Sequence, residues 1–327
     1  MPTNLPPEYF EVEKRYKEAQ TTEEKIELLE ELISTIPKHK GTDHLRADLR
    51  RRLSKFKAST QSQKKTSGPT SVYTIDKEGA GQVVVVGPAN TGKSALVART
   101  TNADPEVAVY PFTTWQPTPG MMQIYNIQVQ IIDTPPLDGA FVEPELFQLA
   151  RRADLILLMV DLLADPVEQV KASIETLVEN RVIPLHIKEQ HPQRGNKYIP
   201  LLVVCNKNDD EATDENYHIF TELMEEEWPC IPISVETGRN MDTLKKAIFD
   251  SLDIIRVYSK APGAEPDLSS PFVAKRGSTV AEFARKIHKD FYDNLKSARV
   301  WGSGDFDGQR VSRDHVLLDE DVVELKM

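Results

Sequence analysis

Four consecutive valines, Val83–Val86, run directly into Gly87-Pro88-Ala89-Asn90-Thr91-Gly92-Lys93-Ser94, after which a helix is expected over 93–101. The eight residues fit G-x-x-x-x-G-K-[ST], a pattern that only works between a strand and a helix. Its glycines let the backbone curl so that N–H groups converge, and the helix N-terminus adds a dipole that favours an anion. Gly87, Asn90, Thr91, Gly92, Lys93, Ser94 and Ala95 are therefore the expected phosphate cradle. Lys93 is placed to reach β and γ oxygens, and Ser94 to ligate Mg²⁺. A chance match in a flexible loop is the competing explanation, and the strand-to-helix context argues against it.

Downstream, short apolar runs alternate with helical patterns. Strands are expected at Val83–Val86, Val129–Ile132, Leu155–Val160, Leu201–Cys205 and Ile231–Ile233. Helices are expected at 93–101, 166–179, 214–226 and 240–252. That alternation predicts an α/β domain with a mostly parallel sheet covered by helices on both faces. Residues 180–200 are polar and interrupted by proline, which predicts a long loop or excursion. Beyond about Ile255 the rhythm changes. Short strands at 272–274, 298–301 and 322–325 surround one helix over 280–291, whose Phe283, Ile287 and Phe291 share a stripe.

Upstream, residues 8–57 read as helical. Thr21 and Glu24 form a capping box, Ile26, Leu29, Ile33 and Ile36 recur at helical spacing, and Pro37 ends the pattern. A second helix over 43–57 puts Leu45, Leu49, Leu53 and Phe56 on one stripe, which completes a helical hairpin. Ser, Thr, Gln, Lys and Gly dominate 58–81, as in a linker. The predicted division is a helical arm (1–62), a phosphate-binding α/β domain (63–255) and a small C-terminal module (256–327).

Charge separates these parts. The chain carries −11 overall, but 38–65 holds ten Lys and Arg against Asp43 and Asp48, a local +8. A basic stripe on an acidic protein is a footprint for RNA or an acidic partner, or simply a solvated helix face. The apolar runs fall far short of the ~20 residues that cross a bilayer, so no membrane association is expected. The N-terminus has no basic start and no apolar stretch, which argues against a secretory signal. Two cysteines, Cys205 and Cys230, exclude a disulfide framework and fit a reducing cytoplasmic compartment.

Three further pieces complete a nucleotide site. Asp133 ends a strand in Ile131-Ile132-Asp133-Thr134-Pro135, where a carboxylate can hold the metal through water. Asn206-Lys207-Asn208-Asp209 follows another strand. There Asp209 can accept from guanine N1 and N2, while Asn206 and Lys207 brace the base and the phosphate loop. Ser234-Val235-Glu236-Thr237-Gly238 follows the last strand and offers backbone N–H groups to guanine O6. Adenine would bury mismatched polar groups at ~1–3 kcal/mol each, so guanine is the expected base.

Tyr110-Pro111-Phe112-Thr113-Thr114-Trp115, with Pro117 and Gly120, resembles the first switch of the Obg-related GTPases, Y-x-F-T-T-x-x-P-x-x-G. Within that group the chain is similar to the developmentally regulated GTP-binding (DRG) branch. The similarity runs through His39-Lys40-Gly41-Thr42-Asp43-His44-Leu45 and Leu53-Ser54-Lys55-Phe56. It continues in Arg256-Val257-Tyr258, Pro266-Asp267, Lys286-Ile287-His288-Lys289, Val300-Trp301-Gly302, Asp314-His315 and Asp319-Glu320-Asp321-Val322. The resemblance implies a C-terminal TGS domain, a β-grasp fold associated with RNA and ribosome contacts. It also implies that Thr113 and Thr114 meet the nucleotide, with Thr114 touching Mg²⁺ and the γ-phosphate. Asn90 matches the asparagine that helps some members bind K⁺ beside the phosphates. The expected activity is slow hydrolysis of GTP to GDP and phosphate on ribosomes or RNA, with room for a small protein partner on the arm or the TGS domain.

Two features depart from the family. Its third motif is D-x-P-G, whose glycine N–H donates to the γ-phosphate and couples nucleotide state to the second switch, whereas this chain reads Asp133-Thr134-Pro135-Pro136, and proline has no N–H to give. The alternative this raises is a GTP-dependent switch or scaffold that scarcely hydrolyses. The span from Asp133 to Asn206 is also too short for the domain that DRG proteins insert there. Of the remaining residues, His186 and His191 make a poor metal pair. Cys205 is expected to be buried, Trp301 is expected in the core, and Trp301 and Phe306 are the alternative stacking platform for RNA bases.

Overall fold

The computed structural model describes residues 72–101, 116–139 and 142–326, together with Val12, Leu28, Leu29, Leu32 and Thr35. These last five are helical; Val12 and the three leucines are buried, and Thr35 Oγ1 donates to Leu32 O over 2.9 Å. The rest of the expected hairpin, the basic stretch and the switch segment with Thr113 and Thr114 lie outside the described residues. None of the described helices is long and apolar enough to cross a membrane.

The α/β part is built on β1 (Gln82–Val86), β2 (Thr118–Ile124), β3 (Ile127–Asp133), β4 (Leu155–Asp161), β7 (Leu201–Asn206) and β8 (Cys230–Pro232). They form one sheet in the order β2-β3-β1-β4-β7-β8, all parallel except β2, which pairs antiparallel with β3. Alternate side chains of β1 enter two different cores. Val84 and Val86 join α2 (Pro144–Arg152), α3 (Pro166–Glu179) and α4 (Glu211–Leu223) on one face, through Phe147, Ile174 and Phe220. Val83 and Val85 join α1 (Lys93–Thr100) and α5 (Met241–Ser251) on the other, through Leu96, Ile248 and Phe249. A strand buried on both faces reads as an unbroken apolar run, which is why the four valines carry no alternation.

Strand order reverses on either side of β1, and in open parallel sheets ligands bind where that happens, at the carboxyl ends of the strands. The loop after β1, Asp133 at the end of β3 and Asn206 at the end of β7 all stand on that edge.

Several expectations needed correction. Residues 72–81 are not a free linker: Tyr73 is buried in the core, Gly79 bridges Val129, and Lys77 pairs with Asp154 at 2.5 Å. Strand β2 and helix α2 were not anticipated. The stretch 180–200 holds a parallel ribbon, β5 (Val182–Pro184) with β6 (Lys197–Ile199), around a short 3-10 turn. Helix α4 starts three residues earlier than expected because Asp210 accepts from Thr213 N at 3.0 Å in a capping box. Among the described residues between Asp133 and Asn206 stand α2, β4, α3 and this ribbon, with no inserted domain.

The C-terminal sheet runs β10-β9-β13-β11-β12, where β9 is Ile254–Ser259, β10 Phe272–Lys275, β11 Ser297–Trp301, β12 Gln309–Val311 and β13 Asp321–Lys326. Phe283 and Ala284 of α6 (Val280–Ile287) pack on it. The single helix expected over 280–291 breaks at His288, whose backbone is extended, before α7 (Lys289–Asn294). Trp301 is not in this core. Val300 is fully buried, so its neighbour faces the other way, with Lys260 Nζ 4.5 Å from the indole centre. Arg256 joins this sheet to the β2–β3 hairpin tip: its guanidinium lies 4.5 Å over Tyr125 and bonds Asp319 Oδ2 at 2.7 Å.

Candidate functional site

The loop from Gly87 to Gly92 adopts backbone that only a few residue types tolerate. Gly92 has φ +95°, and a Cβ there would stand 2.4 Å from Asn206 Nδ2. Asn90, at φ +62°, is a residue type that accepts the left-handed region. Lys93 is buried, with its ammonium donating to Pro88 O at 2.5 Å. Burial pulls this lysine below its ordinary value, against the opposing pull of Asp133 and Asp138.

Ser94 Oγ donates to Asp133 Oδ2 at 2.5 Å. The second carboxylate oxygen, Asp133 Oδ1, is buried without a hydrogen-bond partner among the described residues. Burial pushes this carboxyl up, while the Ser94 hydroxyl, Lys93 and the Thr134 N–H hold it down. A buried carboxylate oxygen left without a donor, beside a hydroxyl at a helix N-terminus, is an all-oxygen set that suits Mg²⁺.

Asn206 is the joint between the two loops. Its Nδ2 donates to Thr91 O at 2.8 Å, and its Oδ1 accepts from Val235 N at 3.0 Å. One buried carboxamide thus ties the phosphate loop to the loop after β8. Asp209 Oδ1 accepts from Ser234 Oγ at 2.5 Å, which fixes the carboxylate on the same side. Ser234 Oγ accepts in turn from Thr237 N at 2.9 Å. The N–H groups of Ser234, Val235, Thr237 and Gly238 all have partners within the protein, so among the described residues of this loop only Glu236 keeps one unassigned. Lys207 pairs with Asp161 at the end of β4.

The structure therefore brings together Gly87, Asn90, Thr91, Gly92, Lys93, Ser94, Ala95, Asp133, Asn206, Lys207, Asp209, Ser234 and Val235 along one sheet edge. Thr113 and Thr114 lie outside the described residues. No cluster of metal-ligating side chains includes His186 or His191 among the described residues; His186 instead packs edge-on against Trp228, with ring centres 4.1 Å apart.

Four supporting residues carry no sequence signature. Arg99 of α1 donates to Glu236 O at 3.1 Å and clamps the loop after β8. Arg239 bonds Asn208 Oδ1 at 2.8 Å and both oxygens of Asp214. Asp161 takes Lys207, and Asp138 Oδ1 accepts from Ala89 N at 2.9 Å. Each contact joins residues far apart in the chain, so only the fold reveals it. Pro136 precedes Leu137, whose N–H donates to Gly87 O at 3.1 Å and pins the segment after Asp133 to the phosphate loop.

Comparison with known proteins agrees with this geometry. Residues 82–207 match the family described as 50S ribosome-binding GTPase, and residues 255–327 match the TGS domain. The chain is 31% identical to the uncharacterized GTP-binding protein MJ1326 of Methanocaldococcus jannaschii, over 93% of this chain and 92% of that one. It is 27% identical to developmentally-regulated GTP-binding protein 1 of Xenopus laevis (92% and 98% covered). It is 25% identical to Ribosome-interacting GTPase 1 of Saccharomyces cerevisiae (93% and 99%). These alignments span 363 to 369 positions against 327 residues here, so the relatives carry segments that this chain lacks. The YchF GTPase of Schizosaccharomyces pombe shares the fold, with a TM-score of 0.53, 11% identity and 77% of this chain and 99% of that one covered. With the two domain matches and a relative 31% identical over 93% of this chain, the chain belongs to the family of GTP-binding proteins that join a P-loop GTPase domain to a C-terminal TGS domain.

Proposed function

We propose that the protein hydrolyses GTP to GDP and phosphate and works on ribosomes or structured RNA, as a DRG-type member of its family. The observation that carries GTP binding is Asn206, which ties the Thr91 carbonyl to the Val235 N–H and so builds phosphate and base sites as one unit. The loop backbone and Lys93 hold the phosphates. Asp209 accepts from the guanine edge, and the Glu236 N–H, left without a partner among the described residues of its loop, is available to O6. Ser94 and Asp133, with Thr114 by the family resemblance, would hold Mg²⁺, which would supply neutralising charge to the phosphates. By the family resemblance, Thr113 and Thr114 would meet the nucleotide. Asn90 would lend its carboxamide oxygen to K⁺, which would supply a second neutralising charge.

The ribosome and RNA role draws on the description of the matched GTPase family, on the yeast relative's name and on the basic stretch 38–65. Arm (1–62), GTPase (63–255) and TGS module (256–327) are the proposed working parts, in the cytoplasm. A second reading, a GTP-dependent scaffold with little turnover, is favoured by Pro136, which cannot donate to the γ-phosphate.

Single-turnover phosphate release, with and without ribosomes, tests hydrolysis and separates these two. We expect a Mg²⁺-dependent rate that is higher in K⁺ than in Na⁺ at equal ionic strength, with Asn90→Ala erasing the difference. No Mg²⁺-dependent rate above background would leave only the scaffold. Ribosome or RNA association is expected to fall steeply with salt, because neutralising phosphates releases counterions. Replacing Arg50, Arg51 and Arg52 together with glutamate should reduce it in co-sedimentation. Unchanged association at moderate salt would point to a protein partner on the Leu45, Leu49 and Leu53 stripe.

A further inference from the structure

The second switch meets the phosphate loop through a negative charge. Asp138 Oδ1 accepts from Ala89 N at 2.9 Å, so a carboxylate is fastened to the backbone of the loop between Gly87 and Gly92. The same carboxylate is within electrostatic reach of Lys93, the residue that pairs with the terminal phosphates. Its position is built rather than casual. Leu137, next in the chain, is buried and donates its N–H to Gly87 O at 3.1 Å, which locks the backbone that presents Asp138. Immediately before it stands Pro136, which offers the γ-phosphate no N–H.

We propose that Asp138 is a specificity-determining residue that occupies the γ-phosphate end of the cradle and biases the site toward GDP. The inference rests on the GTP-binding reading above. A carboxylate and a γ-phosphate are both anions and compete for the same donors, Ala89 N–H and the Lys93 field. GDP leaves the Asp138–Ala89 contact in place. GTP has to displace it, and with it the segment anchored at Leu137. Nucleotide state is thus transmitted to the second switch by expulsion of a charge, where relatives with D-x-P-G use an N–H donated to the phosphate. Pro136 and Asp138 are two parts of one device.

The test is equilibrium calorimetry on the full chain with Mg²⁺, using GDP and a non-hydrolysable GTP analogue. Wild type is expected to bind GDP more tightly than the analogue. Asp138→Asn keeps an acceptor while removing the charge, and Asp138→Ala removes both. Each should tighten the analogue about tenfold and leave GDP within about twofold. Asp138 is exposed, so neither change removes core packing. If both variants keep the wild-type ratio of the two affinities, or lose the analogue selectively, Asp138 does not compete with the γ-phosphate and the inference falls alone. A wild-type protein that binds neither nucleotide would overturn GTP binding itself, and the inference with it.

Discussion

Asp209→Asn is expected to switch the base that the protein accepts. In the wild type the carboxylate is held by Ser234 Oγ at 2.5 Å, leaving its other oxygen to accept from N1 and the 2-amino group of guanine. Asparagine puts an amide donor where a carboxylate stood. Guanine then loses a charged acceptor and meets a donor against its own N–H groups, at ~1.5–3 kcal/mol for the lost charge-assisted bonding. GTP affinity should fall about 10- to 100-fold. Xanthosine triphosphate carries a 2-oxo group that repels the carboxylate and welcomes the amide, so its affinity should rise past that of GTP. Competition of the two nucleotides for wild type and variant reads the exchange directly. If the variant keeps its preference for GTP, Asp209 is not the base-reading residue.

Gly92→Ala should be more damaging, and its damage should not discriminate between nucleotides. At φ +95° an added Cβ is strained by ~1–2 kcal/mol whatever the space around it. Here there is no space either, because the methyl would stand 2.4 Å from Asn206 Nδ2. Asn206 has to move, and both of its bonds, to Thr91 O and Val235 N, go with it at ~1 kcal/mol each. The phosphate and base loops then come apart together. GTP and GDP should both weaken about 100-fold, since ~3 kcal/mol of organisation is lost, and the unfolding temperature should fall because Asn206 is buried. Loss of one nucleotide with retention of the other would mean that Asn206 is not the shared brace.

The parts of the site visible in the sequence are those whose chemistry is contiguous. Gly87 to Ser94 and Asn206 to Asp209 each carry backbone shape and side-chain function within a few residues, on strands apolar enough to be found. Strand β2 was hidden because it opens Thr118-Pro119-Gly120, which reads as a turn. It tolerates Pro119 as an edge strand, where one missing N–H costs little. The α6–α7 break was hidden because Ile287 and Phe291 keep helical spacing across it, while His288 turns extended and its Nδ1 accepts from Asp290 N at 3.2 Å. Trp301 was misplaced because an apolar run of strand residues does not say which face each one takes. Only the burial of Val300 decides that. Asp138, Arg99 and Arg239 act through tertiary contacts on backbone carbonyls, amides or distant carboxylates, and a charge in a loop gives no sign of which group it will meet.

Equilibrium binding of GTP, GDP and ATP to the purified full chain in Mg²⁺ tests most directly the claim that one carboxamide welds a phosphate site to a guanine site. Saturable GTP binding, displaced by GDP but not by equal ATP, is the predicted result. Equal affinity for GTP and ATP would contradict it: the phosphate loop would then bind alone, and Asp209, Ser234 and Val235 would play no part in reading the base.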